Sequence, residues 1–515
     1  MILIPSAAYV DPSLQAEFGK LPPTFLPVQN KRLFSHQLDI LPENQDIWIS
    51  IPDDFEIQSS DKKILDQYSV NVIRVLTDLS LSESILYCIN HIGNYSDPLY
   101  ILHGDTIIED FTSYVTDTYV LGKISSNYAW AQAPKGFTQE YTYAGFFSFS
   151  NVPLLIKCLL ECYKKFIPAI ERYRELTNVK LELTEKWLDF GHSHTYFQSK
   201  SKLTTERAFN TLSIDSFVVT KRSSQNDKIN AEYEWYSNLP IELKKRTPQI
   251  YNFTKNADYS SYEMEYLSLC SLSEIFVFGK LPIFLWQDII YDCLDYLKDE
   301  VQFKPSDDIS SSIEEMYLKK TTKRLNTFKS ERNISLDKKW IYNNEELPSL
   351  NEIAKETFDQ MNHNYQDFAS IVHGDYCFSN ILYDFKTMRL KVIDPRGMDS
   401  NGQFTQFGDI RYDLAKLAHS ILGLYDFIIA GRYKVELNDY AIDFSIDCID
   451  EINDVQDFFT NLLFNEIHLI KYDVYPIMIH LFLSMLPLHY EDETKQNALL
   501  ANAFRLYTEY KKIIS

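Results

Sequence analysis

The chain has 515 residues, 45% of them apolar and 24% charged, enough for roughly two to four domains with ordinary cores. A formal net charge of −22 argues against nucleic acid or an anionic membrane as a main partner, because both require a basic surface. Its seven cysteines (88, 158, 162, 270, 293, 377 and 448) are dispersed without a CxxC pair, so free thiols in a reducing cytoplasm are expected.

The opening "MILIPSAAYV" is too short for a secretory signal and reads as a strand running into a loop. "DIWISIP", "NVIRVL", "PLYILHGDTII" and "YAGFFSFS" continue the strand series, with helical or mixed segments between them. That rhythm predicts an α/β domain with a mainly parallel sheet. A long helix is predicted from Val152 to about Glu175, and "EKWLDFGHSHTYFQSKSKL" closes the region.

The pattern changes near residue 205. "AFNTLSIDSFVVTKRSS" reads as two strands, "NDKINAEYEWYSNLP" as a helix and "PQIYNFTKNADYSSYEMEYL" as two more strands. From about Leu281 onward the pattern is mainly helical, interrupted by strand-like pieces at 371 to 394. "KPSDDISSSIEEMYLKKTTKR" reads as a mobile polar loop. The apolar stretch "VYPIMIHLFLSMLPLHY", with two prolines and two histidines, reads as a buried helix and falls short of a membrane span. Three segments are expected: 1–204, 205–280 and 281–515.

"VHGDYCFSNILYDFKTMRLKVIDPRG" carries the strongest chemical signal. Phosphoryl transfer needs an acceptor hydroxyl aimed in line, a carboxylate to take its proton, and metal ions on the phosphate oxygens. Asp375 and Asn380 lie five residues apart in one loop, and Asp394 follows an apolar run, which is a layout that can supply those groups. The segment resembles the aminoglycoside phosphotransferase and choline kinase branch of the protein-kinase-like fold, with its H-G-D-x-x-x-x-N and I-D motifs.

The resemblance implies Asp375 as catalytic base, Asn380 and Asp394 as Mg²⁺ ligands, and His373 as a structural member of the loop. It implies Lys221 in "FVVTKRSS" as the ATP-phosphate lysine, paired with Glu232 or Glu234, Glu232 being preferred. "SYEMEYL" resembles the segment between the two lobes, so Glu265, Tyr266 and Leu267 would meet adenine. Asp409 and Asp413 in "GDIRYDLAKLAHS" are expected to be structural. A sugar, a polyol or an amino alcohol fits as acceptor, and an acidic pocket would favour a cationic one.

In the first segment, Asp105 follows the strand of "LYILHGDTIIED" and Asp189 lies in "WLDFGHSHTYFQS". Strand-end carboxylates of an open α/β sheet stand where ligands bind, and two of them can share one Mg²⁺. These pieces resemble the sugar-phosphate nucleotidyltransferases. Carried over, Asp105 and Asp189 bind Mg²⁺, and the loop from Ser6 to Asp11, with Ala7 and Ala8, lies against a nucleotide. "SAAYVDPS" lacks that family's glycine-rich loop and its arginine, and Pro23 stands where the family has a lysine. Lys20 would substitute for that lysine, and Lys135 would meet the sugar phosphate.

The fold class expected is therefore a Rossmann-like nucleotidyltransferase domain followed by a bilobal protein-kinase-like domain. The expected function is cytoplasmic and bifunctional: ATP-dependent phosphorylation of a small hydroxyl compound, then nucleotidyl transfer to that phosphate. The co-substrates are ATP, Mg²⁺ and a second NTP, CTP or GTP, and the product would be a precursor for a capsule or surface glycan. The alternative is the same kinase carrying a non-catalytic binding domain.

Overall fold

The computed structural model describes residues 1–42, 45–109, 115–124, 133–163, 165–203, 210–214, 217–256, 258–447 and 451–515. Cys448 and the expected boundary near residue 205 lie outside the described residues. The other six cysteines are free thiols. No helix among the described residues is long and apolar enough to cross a membrane. The chain divides into two compact units, 1–203 with 278–280, and 204–277 with 281–515.

The first unit is built on a seven-stranded sheet. Its first strand, Ile2–Pro5, is flanked by parallel neighbours, Ile47–Pro52 on one side and Leu99–Leu102 on the other. The chain thus reverses its direction of growth across that first strand. In such sheets the crevice beyond the carboxyl ends of the strands at the reversal point receives ligands. All four residues of the first strand are buried, as a strand covered on both faces requires. Leu3, Ile73, Ile101, Tyr119 and Phe147 share one core cluster with Ile85, Leu155 and Ile170 from the helices Leu81–Ile92, Val152–Glu161 and Phe166–Leu176. The sheet is mixed, because Tyr141–Phe149 runs antiparallel to both neighbours.

The predicted helix from Val152 to Glu175 is two helices. Tyr163 takes a left-handed φ of 52° between them. Pro168 cannot donate a backbone hydrogen bond, so it suits the first turn of a new helix rather than the middle of a long one.

The second unit opens with a four-stranded antiparallel sheet in the order Asn210–Ile214, Val218–Ser223, Ser260–Glu265, Ile250–Lys255. The helix Asn226–Asn238 lies between its second and fourth strands in sequence. The rest is helical around short sheets. One of these, Ile381–Asp384 paired with Arg389–Val392, carries the motif residues at its ends.

Two expectations for this unit need correction. The polar stretch read as a mobile loop is mostly helical, as Ser310–Glu314, a π-helical turn Glu315–Lys319 and Lys320–Arg332. Ile313, Tyr317, Thr321, Leu325 and Phe328 are its buried stripe, at spacings of one helical turn. The region after Leu281 also contains an unforeseen sheet, in the order Glu345–Leu347, Trp340–Tyr342, Ala441–Ile446, Tyr433–Asn438. Asn343 and Asn344, both at positive φ, make the two-residue turn of its first hairpin.

Asp292, on the long helix Ile283–Val301, holds both a buried arginine and the motif hairpin. Arg246 donates to both carboxylate oxygens of Asp292 at 2.8 and 2.7 Å, both side chains are buried, and Asp292 also accepts the Leu390 N–H at 2.8 Å. Asp292→Ala strands the guanidinium and should cost about 3–5 kcal/mol. A shift in the urea midpoint worth less than about 1 kcal/mol would refute this role.

His480, buried in the helix Val474–Met485, lies 2.8 Å from the Thr321 hydroxyl and 3.3 Å from that of Thr357. Burial lowers its pKa to about 4. The unfolded chain therefore binds a proton between pH 6.5 and 4 that the folded chain refuses, and the stability His480 contributes is lost as pH falls through that window. The stability deficit of His480→Gln against wild type should be about 2 kcal/mol smaller at pH 5 than at pH 7.5. A pH-independent deficit in urea titrations would contradict it.

Candidate active sites

In the second unit three elements converge on Lys221. It lies on the strand Val218–Ser223, opposite Tyr262 of the neighbouring strand. Its ammonium is 2.6 Å from Glu232 on the following helix and 2.8 Å from Asp394. The Tyr262 hydroxyl donates to the same Glu232 oxygen at 2.9 Å. Burial alone would lower the Lys221 pKa, but the Asp394 and Glu232 carboxylates outweigh it and hold the ammonium above its usual range. Lys221 is thus a fixed cation. Glu234 instead accepts from Asn238 on an exposed helix face.

The hairpin sets the spacing of the other two motif residues. Ile381 pairs with Val392, and the Ile393 N–H donates to the Asn380 carbonyl at 3.0 Å, so Asn380 and Asp394 stand side by side at the hairpin's open end. Asp394 adopts a left-handed φ of 59°, a conformation that surrounding structure must enforce. The Asn380 amide nitrogen donates to Asp375 at 3.0 Å, and its amide oxygen accepts from the Ser379 hydroxyl at a long 3.5 Å. A carboxylate beside an amide oxygen is a donor set for a hard cation such as Mg²⁺. Among the described residues no cluster of three or more His, Cys, Asp or Glu side chains forms a metal site. The remaining ligands of a Mg²⁺ ion there would come from phosphates and water, as is usual for this ion.

Asp375 is partly exposed and bound on both sides. Besides Asn380 it faces Lys416, whose ammonium is 2.7 Å from the other carboxylate oxygen. Burial would raise its pKa, but the Lys416 charge outweighs burial and holds it at about 2. Asp375 is therefore ionised at any working pH. His373 beneath it is buried and neutral, its pKa lowered by burial to about 4. Its Nδ1 accepts the Asp375 N–H at 3.3 Å and its Nε2–H donates to the Ile393 carbonyl at 2.9 Å. Asp413 accepts the N–H groups of His373 and Gly374 at 2.7 and 3.0 Å, and so anchors the loop. Asp409 caps the helix Ile410–Ile421 and pairs with the buried Arg411 at 2.7 Å.

Lys416 is the residue that sequence reasoning missed. It lies one helical turn after Asp413 on the helix that anchors the loop, and nothing in the local sequence signals its contact with Asp375. Among the three residues expected at adenine, the Glu265 N–H donates to the Gln249 carbonyl and the Tyr266 N–H to that of Phe217, both at 2.8 Å. Those two amides are engaged within the chain; the Leu267 N–H has no backbone acceptor among the described residues.

In the first unit the short antiparallel pair Thr106–Ile108 and Trp187–Asp189 places Asp189 opposite Thr106, next to Asp105. The Phe190 N–H donates to the Asp105 carbonyl at 2.8 Å. Gly191 permits the approach, since a Cβ there would lie 2.5 Å from Asp105 Oδ2. Asp189 Oδ2 is buried without a hydrogen-bond partner. Burial, and then the charge of Asp105, raise the Asp189 pKa to about 7. Two adjacent carboxylates with an orphaned buried oxygen fit a divalent cation, which would relieve both penalties.

Ser6 follows the first strand, buried, with its hydroxyl accepting the Thr24 N–H at 3.0 Å. Ala7 is partly buried and Ala8 exposed. Lys20 is exposed, 5.8 Å from the centre of the Tyr9 ring. Lys135 faces Glu175 at 3.6 Å. The structure brings neither lysine to the Asp105–Asp189 pair.

No family model matches the chain. No curated protein matches it either. Among solved structures it is similar to a thermostable mutant of aminoglycoside phosphotransferase APH(4)-Ia in ternary complex with ADP and hygromycin B, at 10% identity and a TM-score of 0.38, over 59% of this chain and 92% of that one. A second is aminoglycoside phosphotransferase APH(3'')-Id from Streptomyces rimosus ATCC10970 with ADP and streptomycin, at 13% identity and a TM-score of 0.31, over 54% and 93%. A third is HddC from Yersinia pseudotuberculosis, at 16% identity and a TM-score of 0.30, over 39% of this chain and 99% of that one. Likenesses this low carry none of the functional reading, which rests on the side chains described above.

Proposed function

We propose that the chain is a bifunctional enzyme. Its second unit phosphorylates a small hydroxyl compound with ATP, and its first unit transfers a nucleotidyl group from an NTP to the resulting phosphate. The observation that carries the first activity is the pairing of Asp375, ionised and aimed by Lys416 and Asn380, with the Lys221–Glu232–Asp394 cluster.

In the phosphotransfer step Lys221 neutralises ATP phosphates, and Asp394 and Asn380 would hold Mg²⁺, which would supply charge neutralisation at the phosphate oxygens. Asp375 accepts the proton of the acceptor hydroxyl. The acceptor oxygen bonds to the γ-phosphorus as the bond to the β–γ bridging oxygen breaks, and ADP leaves.

The Asp105–Asp189 pair at the reversal point of the first sheet supports the second activity. A cation held there would offset the charge as the substrate phosphate attacks the α-phosphorus of an NTP and pyrophosphate leaves. The NTP is CTP or GTP by resemblance, and the product would serve surface-glycan assembly. One observation favours a second reading, a first unit that binds nucleotide without turning it over: neither Lys20 nor Lys135 stands at the carboxylate pair. Pyrophosphate release, assayed with each NTP and the phosphorylated product of the second unit, separates the two. Release with none of them would remove the nucleotidyl-transfer half of the proposal.

A further inference from the structure

The side chains around Asp375 restrict the acceptor. Lys416 is in contact with it, and Lys320 and Arg396 join Lys416 in setting the electrostatic surroundings of the buried Tyr412 phenol. The Lys320 ammonium is 5.7 Å from the centre of the Tyr412 ring. Arg396 is tied to the catalytic loop by its N–H, which donates to the His373 carbonyl at 2.9 Å. Its stem lies against Gly374, where a Cβ would stand 2.7 Å from the Arg396 Cβ. A cleft lined by Ile313, Gly374, Arg396, Tyr412, Asp399 and Asp409 opens beside the loop, and Lys320 stands next to it across the Tyr412 ring.

The nearby acids are engaged elsewhere. Asp413 takes backbone N–H groups, Asp409 takes Arg411 and the Tyr317 hydroxyl, and Asp399 takes the Ser312 hydroxyl and the N–H groups of Asn401 and Gln403. Among the described residues neither Lys320 nor Arg396 has a carboxylate partner. Both are partly buried. Arg396, a cation on the cleft wall without a carboxylate partner, favours an anion that fills the cleft, and Lys320, which leans on the Tyr412 phenol, adds to that preference. Burial would raise the Tyr412 pKa, yet the three cations outweigh it and lower it, which shows the sign of the local field. That field is opposite to the chain's net charge of −22.

We propose, on the phosphotransfer reading above, that the acceptor is an anionic hydroxy compound whose carboxylate or phosphate is held by Lys320, Arg396 and the Tyr412 hydroxyl while its own hydroxyl faces Asp375. This reverses the cationic acceptor that an acidic pocket would have favoured. In the step itself the acceptor hydroxyl loses its proton to Asp375, the new oxygen–phosphorus bond forms at the γ-phosphate, and ADP departs with the bridging oxygen. The anion is a spectator that orients the hydroxyl.

The test is ADP formation by the full chain with matched acceptors: hydroxy acids, phosphorylated polyols, the corresponding neutral polyols, and amino alcohols. Turnover of a carboxylate or phosphate member should exceed that of its neutral partner by about tenfold or more in kcat/KM, the value of one charge-assisted contact. The carboxylate and phosphate arms identify which anion is taken. Arg396→Met should raise the KM for the anionic acceptor and leave that for ATP unchanged, with Arg396→Lys retaining part of the selectivity. Turnover confined to neutral or cationic acceptors, or an Arg396→Met defect confined to ATP, overturns this inference and spares the kinase reading. No turnover with any acceptor sinks both.

Discussion

Asp375→Ala should lower ATP-dependent phosphorylation by about a thousandfold or more, at the upper range of what one positioned base contributes. The expectation follows from what holds the carboxylate. Asn380 fixes one oxygen at 3.0 Å and Lys416 the other at 2.7 Å, so the base is oriented and ionised before any substrate arrives. Lys416 has only 12% of its side chain exposed, and the substitution leaves it without a counter-ion. Asp375→Asn strands the same ammonium but keeps the shape and an oxygen to face it, so urea titration of both variants measures that stability cost apart from the chemical one. Both variants should lose phosphorylation alike while pyrophosphate release from the first unit is retained. Loss of both activities in either variant would mean that the two sites are not independent. Phosphorylation within about tenfold of wild type would remove Asp375 from the chemistry.

Local motifs were the legible part of these sites, and long-range partners were not. "HGDYCFSN" and "LKVIDPRG" named Asp375, Asn380 and Asp394 because a loop and a hairpin hold them within twenty residues. Lys416 comes from a helix 41 positions after Asp375, and no local pattern assigns a helical lysine to one carboxylate. The sign of the field around Asp375 escaped for a related reason. It depends on which acids are neutralised by backbone amides or by Arg411, and side-chain counts do not record that. The polar stretch before residue 325 was misread because alternating charges hid a stripe of Ile313, Tyr317 and Thr321 at four-residue spacing. The late sheet was missed although "YNNE" carries a two-residue turn signal, since the strands of that hairpin are three residues long and the strand that pairs with it, Ala441–Ile446, lies about a hundred positions away. Lys20 and Lys135 were chosen by proximity in sequence to a family pattern, and the fold directs both elsewhere.

Asp105→Ala should abolish pyrophosphate release, by a hundredfold or more, if the pair holds a cation worth several kcal/mol to the transferring phosphate (about 1.4 kcal/mol per tenfold). The more discriminating result concerns stability. Asp189 is partly buried beside Asp105, and its raised pKa reflects both burial and that neighbour's charge. Removing Asp105 relieves the repulsion, so without divalent cations the variant should be as stable as wild type or more so, by on the order of 1 kcal/mol. With Mg²⁺ the order should reverse, because wild type gains binding energy that the variant cannot. Two carboxylates kept for structure alone predict the contrary pattern, a variant destabilised in both conditions and no response to Mg²⁺ in either protein. Thermal unfolding of the full chain with and without Mg²⁺ distinguishes these outcomes, and it does so without knowledge of the NTP or of the phosphorylated acceptor.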